Sequence, residues 1–381
     1  MPKNKLKLKI QICSRCLYDS NLPGITFNKK GVCSYCQLTE EMEEEYPTGR
    51  EGWEKLTQFA DEIKKAGKNK KYDCAIGVSG GCDSSYLLHL AKKKLGLRPL
   101  AVHFDNTWNS KTAVENIYRV LTKLDIDLYT HVMDNEEFND IARSFLEASV
   151  AEIDAITDIG LVSTLYMACQ KYKIKYLLIG HAFRTEGMAP LGWFYFDGKY
   201  IADIHKKFGK TPMKRFPNLW FWRQIKWMMM GIKRLRPLNF VEYDKEKIKK
   251  FLVKEYGWVW YGGHHHENRY TLFNHFYALE KFGIDFRYVE ASAMIRSGQM
   301  TKKEASGFVK QPFTVQQNVL DEVCKRLKLS DQDFNRIMRA PHKSAKDYKT
   351  YHQTFKRLKL FFYFAYKMDL VPKNFYVKYC L

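Results

Sequence analysis

The sequence has few structure-breaking residues and no long apolar run. Only 11 prolines occur in 381 residues, and no repeat or low-complexity tract interrupts the chain. The closest candidate for a membrane span, residues 219–235, is interrupted by Arg223, Gln224 and Lys226, so it falls short of the ~20 apolar residues that a transmembrane helix needs. These absences exclude a fibrous, disordered or membrane-spanning class and favour a globular chain of two or three domains.

A secretion signal is also missing. The first residues, MPKNKLKLKIQIC, alternate Lys with Leu or Ile and lack the continuous apolar region of a signal peptide, so they predict a short strand. Nine cysteines in a chain without such a signal argue against a disulfide framework and for a reducing compartment. We therefore expect a cytoplasmic protein.

Acidic residues are outnumbered by basic ones. The chain has 63 Lys and Arg against 42 Asp and Glu, which gives a formal net charge of +21. Because the positive charge is spread along the chain, we expect a folded basic face rather than a basic tail. Such a face is compatible with nucleic acid, an anionic membrane surface or polyanionic small substrates such as nucleotides.

Four cysteines near the start form two C-x-x-C pairs. Cys13 and Cys16 stand in CSRC, Cys33 and Cys36 stand in CSYC, and 16 residues separate the pairs. Two such turns facing each other complete a tetrahedral shell of four thiolates, so the spacing predicts a closed, structural zinc ribbon. Chance cysteines or two redox pairs are the alternatives.

Strand and helix patterns alternate after the basic loop at 64–71. We predict strands at 73–78, 97–104, 127–133 and 175–180, with helices at 83–95, 112–124, 136–148 and 160–172. This alternation predicts an α/β fold with a doubly wound parallel sheet and a ligand at the carboxyl ends of its strands. We expect three domains: a zinc ribbon (1–48), the α/β nucleotide domain (49–200) and a mainly helical substrate- or partner-binding region (201–381).

The stretch GVSGGCDSSY places small residues between the first predicted strand and the first helix of this alternation. Glycines there allow successive N–H groups to point into one concavity, and the helix N-terminus adds positive potential for a phosphate. The stretch matches neither G-x-x-x-x-G-K-[ST] nor G-x-G-x-x-G. A plain small-residue corner with Asp83 as helix cap is the alternative.

Further polar residues follow the other predicted strands. Asp105 and Asn106 follow the second strand, where a nucleoside would lie, and Asp154 and Asp158 stand in a later strand-end connection. The fourth strand is followed by Gly180, His181, Arg184, Thr185 and Glu186. Glu186 is either a magnesium ligand or a solvated carboxylate, His181 is either a site residue or a bystander, and Asp158 is also a possible helix cap.

The run Ser79-Gly80-Gly81-Cys82-Asp83-Ser84 resembles the PP-loop of the ATP pyrophosphatase superfamily, whose fold is HUP-like. Members cleave ATP between the α and β phosphates and adenylate a carbonyl or amide oxygen. The resemblance implies that Ser79, Gly80, Gly81 and Ser84 hold the pyrophosphate. It also implies that Asp83 organises Mg²⁺ or caps the helix, whereas Cys82 takes no part in the chemistry.

Four stretches narrow the resemblance to the N-acetyl sugar amidotransferases of the WbpG and PseA type: residues 13–36, the PP-loop, VHFDNTWNS (102–110) and GGHHHENRYTLF (262–273). The resemblance implies an ATP-dependent amidotransferase, with Mg²⁺ and structural Zn²⁺, that turns the N-acetyl group of a nucleotide-linked sugar into an acetamidino group. Such sugars serve bacterial surface polysaccharides, including lipopolysaccharide O-antigen.

No cysteine outside the four-cysteine set stands in a recognisable glutaminase motif. The resemblance therefore implies that ammonia comes from a separate glutaminase subunit with a cyclase-like companion, and nucleic acid is not expected as a partner. Two alternatives stay open: a tRNA-modifying PP-loop enzyme of the thiolase or lysidine-synthetase type, and a non-enzymatic zinc-ribbon scaffold.

The stretch YGGHHHENRYTLF reads as an active-site lid rather than a metal site, because three consecutive histidines cannot face one metal from regular structure. The predicted site comprises catalytic Asp83, Glu186 and Arg269; nucleotide-binding Ser79, Gly80, Gly81, Asp83, Ser84, Asp105, Gly180 and His181; substrate-binding Glu267 and His265; and zinc-binding Cys13, Cys16, Cys33 and Cys36.

The aromatic and basic segment 219–236 has three possible roles. It could dock a partner, contact a membrane peripherally, or form an irregular core with a solvated basic side.

Overall fold

A computed structural model describes residues 10–263, 266–368, 370–371 and 375–380. Its strands are β1 (Cys74–Gly77), β2 (Pro99–Asp105), β3 (Leu128–Val132), β4 (Tyr176–Leu178) and β5 (Lys233–Leu235). Its α-helices are α1 (Ser34–Glu45), α2 (Gly49–Ala66), α3 (Cys82–His89), α4 (Lys111–Leu124), α5 (Asn135–Glu147), α6 (Ala155–Tyr172), α7 (Gly198–Phe208), α8 (Phe221–Met229), α9 (Lys245–Tyr256), α10 (Arg269–Phe282), α11 (Arg287–Arg296), α12 (Lys302–Lys310), α13 (Gln317–Arg326), α14 (Asp331–Arg339), α15 (His352–Arg357) and α16 (Lys359–Lys367).

The described chain separates into two compact units. Unit 1 contains residues 10–47, 182–193 and 285–312, and unit 2 contains 48–181, 194–284 and the described residues from 313 onward. Each unit is therefore built from segments that are distant in sequence. The predicted domain boundaries at 48 and 200 stay predictions, and the strand expected at the N-terminus lies mostly outside the described residues.

The sheet of unit 2 is parallel throughout, in the order β3-β2-β1-β4-β5. β1 lies at its centre, and both β1 and β2 are almost fully buried, which explains their near-continuous apolar sequences. The chain first winds outward through β2 and β3 and then returns to β4 on the other side of β1. This reversal creates a topological switch point between β1 and β4, where doubly wound folds bind ligands.

The predicted doubly wound α/β fold is confirmed. The four predicted strands and the four predicted helices all form close to the expected bounds. Helix α6 begins at Ala155, five residues before the expected start, and α3 ends at His89 and continues as a π-helical turn, Leu90–Lys94. β5 was not predicted because its sequence, Lys-Arg-Leu, is basic and lies at a sheet edge. The region after 200 is mainly helical, as expected.

One large core joins the two sequence halves of unit 2. Phe138 and Phe145 of α5 pack with Tyr200 of α7 and with Tyr270 and Phe273 of α10. This packing fixes α10, and therefore the residues just before it, against the carboxyl side of the sheet. No helix in the described part of the chain is long and apolar enough to cross a membrane.

Unit 1 is centred on the four cysteines. Tyr18, Tyr35 and Val289 form a small apolar core with the cysteine side chains, and Ala291 of α11 packs with Ala305 of α12 nearby. A ribbon too short to bury its own core thus gains two later helices and the segment 182–193.

Candidate active site

The turn after β1 is as tight as its glycines suggest. Gly80 has a φ of +81°, in the left-handed region that favours glycine. A Cβ placed on Gly80 would lie 2.2 Å from the carbonyl oxygen of Ala113. Gly81 is the N-cap of α3, so the loop leads directly into the helix N-terminus, a geometry suited to an anion.

The serines of the turn hydrogen-bond within it. The Ser84 hydroxyl donates to the Gly81 carbonyl at 3.3 Å, and the Ser79 backbone N–H donates to the Ser84 oxygen at 3.4 Å. The Ser79 hydroxyl points the other way and donates to Oε1 of Glu267 at 3.1 Å. The structure thereby brings two predicted site residues together across 188 positions of sequence.

Asp83 lies in the first turn of α3, and its carboxylate accepts a 2.5 Å hydrogen bond from the Tyr243 hydroxyl. It makes no N-cap bond, because Gly81 holds the cap position. The neighbouring Cys82 thiol is buried, and burial raises its pKa to about 12. A thiol in that state is a poor nucleophile, so Asp83 rather than Cys82 offers charge at the loop.

The residues just after β4 lie close to the loop, on one side of the topological switch point. A Cβ on Gly180 would lie 3.3 Å from the backbone nitrogen of Ser84, so β4 approaches the N-terminus of α3 closely. His181 follows in the same unit. These two predicted residues therefore follow β4, the strand that flanks β1 on the side opposite β2.

The motifs VHFDNTWNS and ENRY meet next to the loop. Asn109 and Asn268 form an antiparallel bridge, and the Ser110 N–H donates to the Glu267 carbonyl at 2.8 Å. The Asn268 amide donates to Oδ1 of Asn106 at 2.8 Å, while its own Oδ1 caps α10. Two stretches that are distant in sequence thus form one element beside the loop.

His103 links this element to the end of β1 through two hydrogen bonds. Its buried ring donates from Nδ1 to the Val78 carbonyl at 2.8 Å and accepts at Nε2 from the Asn109 amide at 3.2 Å. Burial lowers the pKa of His103, which keeps the ring neutral, as this pair of bonds requires. Asp105 completes the turn, since its Oδ1 accepts from the Thr107 N–H at 2.8 Å.

Arg269 turns toward α13 in this structure. Its guanidinium pairs with Glu322 at 2.6 Å, and Glu322 also pairs with Arg326 at 3.4 Å. Arg326 donates to the Thr107 carbonyl at 2.8 Å and stacks 3.7 Å from the Trp108 ring centre. Since Thr107 has a φ of +68°, Arg326 stabilises an uncommon backbone conformation directly after β2.

Two carboxylate oxygens are buried without a hydrogen-bond partner among the described residues, Oε2 of Glu267 at the loop and Oδ1 of Asp154 at the start of α6. Burial raises the pKa of Asp154, and the charges of Asp158 and Glu267 raise it further. Burial and the charges of Glu267 and Asp83 likewise raise the pKa of Tyr261. The site therefore holds buried carboxyl groups that disfavour further negative charge nearby, and a bound cation would offset this.

Two predicted residues are not placed at this site. Glu186 lies in unit 1, where its Oε1 accepts from the Ala182 N–H at 3.1 Å, whereas the loop lies in unit 2. His265, like its neighbour His264, lies outside the described residues. Their predicted roles stay predictions.

The four cysteines of unit 1 fit a tetrahedral metal ion. All four are fully buried, and the Sγ–Sγ distances are 3.8 Å for Cys13–Cys36 and 3.7 Å for Cys16–Cys33. A tetrahedron with Zn–S bonds of ~2.3 Å has sulfur atoms about 3.8 Å apart. Arg296 of α11 is also buried and donates to Cys36 at 3.3 Å and to Cys16 at 3.4 Å.

We expect Arg296→Gln to weaken zinc retention by tenfold or more, because an outer-shell donor to two ligating thiolates typically contributes ~10–100-fold in metal affinity. Competition with a chromophoric chelator measures this. Arg287→Gln is the matched control, since Arg287 is also a poorly exposed arginine of α11 but pairs with Asp285. Equal zinc affinity in the two variants would show that the hydrogen bonds from Arg296 to the cysteines do not contribute to zinc binding.

We expect Arg326→Lys to lower by about tenfold the AMP formation that the PP-loop resemblance implies, while the chain stays folded. Lysine cannot reproduce the planar fork that holds Thr107 and stacks on Trp108. Steady-state assays and a thermal melt measure the two quantities. Arg336→Lys is the control, as Arg336 forks onto Glu147 away from the loop. A similar loss in both variants would argue against a specific role.

Two family profiles match the chain. A profile described as phosphoadenosine phosphosulfate reductase domain matches residues 73–186, which include the whole PP-loop. A profile described as LPS biosynthesis protein WbpG-like, C-terminal domain matches residues 244–361. The chain thus contains a phosphoadenosine phosphosulfate reductase-type domain, which includes the PP-loop, and a WbpG-like C-terminal domain. The expected resemblance to the WbpG type is confirmed.

Other similarities are more distant. An uncharacterized protein of Methanocaldococcus jannaschii is 24% identical over 322 residues, covering 82% of this chain and 98% of its own length. Solved structures with weak similarity include NMN synthetase from Francisella tularensis (15% identity, TM-score 0.32, 77% of this chain and 97% of that one). NH3-dependent NAD synthetase from Campylobacter jejuni is similar at 13% identity and TM-score 0.31, over 76% and 98% of the two chains.

The two matched domains support an ATP-utilising enzyme of the amidotransferase or ligase type. The WbpG-like domain supplies Glu267 and Arg269, and the PP-loop domain supplies Ser79 and Asp83. The contact between Ser79 and Glu267 therefore joins the two matched domains at the site.

Several residues at the loop were missed by the sequence analysis. Tyr243 binds Asp83, and the Trp258 indole donates to the Gly80 carbonyl at 2.9 Å. The Asn116 amide donates to the Val259 carbonyl at 2.8 Å. The aromatic run WVWY directly before the Gly-Gly turn was the available signal for Trp258 and Tyr261, whereas no local pattern marks Asn116.

Proposed function

We propose that this enzyme converts the N-acetyl group of a nucleotide-linked sugar into an acetamidino group. The carbonyl oxygen of the acetamido group attacks the α-phosphorus of ATP, the bond to the β-phosphate oxygen breaks, and pyrophosphate leaves. Ammonia then adds to the imidate carbon, and AMP departs with the former carbonyl oxygen. The product is a cationic acetamidino sugar for a bacterial surface polysaccharide, such as lipopolysaccharide O-antigen.

The contact between Ser79 and Glu267 carries the proposal, because it joins a pyrophosphate-type loop to the WbpG-like domain in one site. The loop holds phosphates through backbone N–H groups at the start of α3, and the tight packing of Gly80 fixes its shape. The amide is a poor electrophile, so activation by adenylation is the chemistry that such a loop supplies.

Magnesium fits the carboxylates at the loop. Glu267 places a buried carboxylate within hydrogen-bond distance of Ser79, so phosphate and carboxylate would repel each other without an intervening cation. Asp83 and Glu267 are the residues that we propose to hold Mg²⁺, a cation that prefers oxygen ligands. When bound, the ion would neutralise charge on the leaving pyrophosphate.

Residues around the loop have proposed supporting roles. Tyr243 and Ser79 orient the carboxylates of Asp83 and Glu267, respectively, through the hydrogen bonds described above. Asp105 stays a predicted nucleoside contact, and Arg269 a predicted substrate contact whose charge is balanced by Glu322. The roles of Gly180, His181 and Glu186 as nucleotide or magnesium contacts also stay predictions.

Ammonia comes from a separate glutaminase subunit in this proposal, with a cyclase-like companion. A cysteine glutaminase needs an accessible thiol with a lowered pKa. Burial raises the pKa of each cysteine outside the four-cysteine set, namely Cys74, Cys82, Cys169, Cys324 and Cys380. The cysteine set of this chain thus supports an external ammonia source. The same proposal includes a cytoplasmic location. It also includes a zinc ion on the four cysteines, with a mainly structural role.

The test supplies the chain with ATP, Mg²⁺ and ammonium and measures AMP release. We expect release to depend on a UDP- or CMP-linked N-acetyl sugar and to be unaffected by bulk tRNA. Release that only tRNA stimulates would replace the proposal with a tRNA-modifying enzyme. No release with either substrate would favour a zinc-ribbon scaffold. A sugar lacking the acetyl group is the matched substrate control.

A further inference from the structure

Helix α8 exposes large apolar side chains. Its inner face buries Trp227 and Met228, while Trp222 and Met229 on the outer face are each 77% exposed. Lys226 lies between them on the same face, at the i+4 position from Trp222. The exposed face therefore alternates apolar and cationic side chains.

Helix α16 shows the same feature more strongly. Phe362 and Ala365 are buried on its inner face. On its outer face, Leu360, Phe364 and the following Met368 recur at four-residue spacing and are 73%, 62% and 69% exposed. A helix that is apolar on both faces is normally buried, so the outer face of α16 is expected to contact something other than water.

The two helices share one core. Phe221 and Met228 of α8 cluster with Phe355 and Phe362, and the ring centres of Phe221 and Phe355 are 6.1 Å apart. The segments 214–236 and 355–368 thus pack on one core, and we call their exposed side chains together the aromatic–basic surface. The sequence analysis identified only its first half.

The charged residues of both segments are all basic. Residues 214–236 contain seven Lys and Arg, residues 355–368 contain four, and neither segment contains Asp or Glu. A partner with negative charge and an apolar layer directly beneath it would complement such a surface. An anionic lipid bilayer has both features, because acidic headgroups cover the acyl chains.

We propose that the aromatic–basic surface binds an anionic membrane surface. Trp222, Leu360 and Phe364 insert at the boundary between headgroups and acyl chains, and the surrounding Lys and Arg contact acidic headgroups. The chain lies on the bilayer, in agreement with the absence of a membrane-spanning helix among the described residues. Alternation of cationic and large apolar residues on one helical face favours a bilayer over a protein partner, whose interface core is depleted of charge.

Flotation of the full chain with lipid vesicles tests this proposal. We expect binding to vesicles of phosphatidylcholine with phosphatidylglycerol, weak binding to phosphatidylcholine alone, and weaker binding at high salt. The double variant Leu360→Ser/Phe364→Ser should bind at least about tenfold more weakly, because it loses two inserted side chains. Tyr118→Ser/Val132→Ser, which removes two exposed apolar side chains elsewhere, should bind like the wild type.

Soluble AMP release is measured in parallel and should be equal in both double variants, which separates lost membrane binding from misfolding and from failure of the proposed chemistry. Absence of flotation, equal flotation with neutral vesicles, or unchanged flotation of Leu360→Ser/Phe364→Ser would each overturn the proposal. So would a stoichiometric complex with an acidic protein that the same variant abolishes while vesicles stay unbound.

Discussion

Asp83→Asn is expected to abolish AMP release, with a loss of at least about 10²-fold, and to leave the zinc content unchanged. Asparagine has nearly the same shape and still accepts a hydrogen bond from Tyr243. The substitution therefore removes the negative charge proposed to hold Mg²⁺ without opening a cavity. Pyrophosphate-coupled AMP assays and metal analysis of the purified variant measure the two quantities.

Tyr243→Phe is the control for this variant. It removes the hydroxyl that binds Asp83 but keeps the carboxylate, so we expect a loss of no more than about tenfold, as for one hydrogen bond to a charged group. Wild-type turnover of Asp83→Asn would refute the assignment of the site. A larger loss of AMP release in Tyr243→Phe than in Asp83→Asn would show that the Tyr243 hydroxyl, rather than the charge of Asp83, is essential.

Gly80→Ala is expected to disrupt the loop and to eliminate activity. The new Cβ would lie 2.2 Å from the Ala113 carbonyl oxygen, and the φ of +81° is unfavourable for alanine. The backbone of either the loop or α4 must therefore move, at a cost we place at about 3 kcal/mol or more in unfolding free energy. Urea denaturation and AMP release measure the effect.

Gly283→Ala separates the effect of the positive φ from the effect of the clash with Ala113. Gly283 follows α10 with a φ of +67°, yet no atom lies within 4 Å of the position of its Cβ. The Gly283→Ala variant should therefore lose only about 1 kcal/mol of unfolding free energy, because alanine disfavours a positive φ, and it should keep its activity. If Gly80→Ala behaved like Gly283→Ala, close packing against Ala113 would not shape the loop.

The sequence predicted the parts of the site that local chemistry determines. The run from Ser79 to Ser84 needs a strand before it and a helix after it, and both are readable from apolar periodicity. The spacing of the four cysteines likewise marks a ligand set before any fold is known. The parallel sheet followed from the alternation of strands and helices, so β1 to β4 were predicted close to their observed bounds.

Other parts depend on contacts between distant segments, which periodicity does not encode. Arg326 reaches Thr107 across 219 positions, and the Trp258 indole reaches Gly80 across 178. β5 forms because Lys233 pairs in register with Tyr176, although its own sequence is basic. Similarly, unit 1 recruits α11 and α12 to bury the cysteine core, which local patterns in the first 48 residues do not reveal.

Transfer of oxygen from the acetamido group to AMP tests the central claim most directly. A nucleotide-linked N-acetyl sugar carrying ¹⁸O in the acetyl carbonyl is incubated with the enzyme, ATP, Mg²⁺ and ammonium, and the AMP is analysed by mass spectrometry. Adenylation of the amide oxygen predicts that each AMP released carries one ¹⁸O in its phosphate. Unlabelled AMP, formed together with an amidinated or an unchanged sugar, would contradict the mechanism.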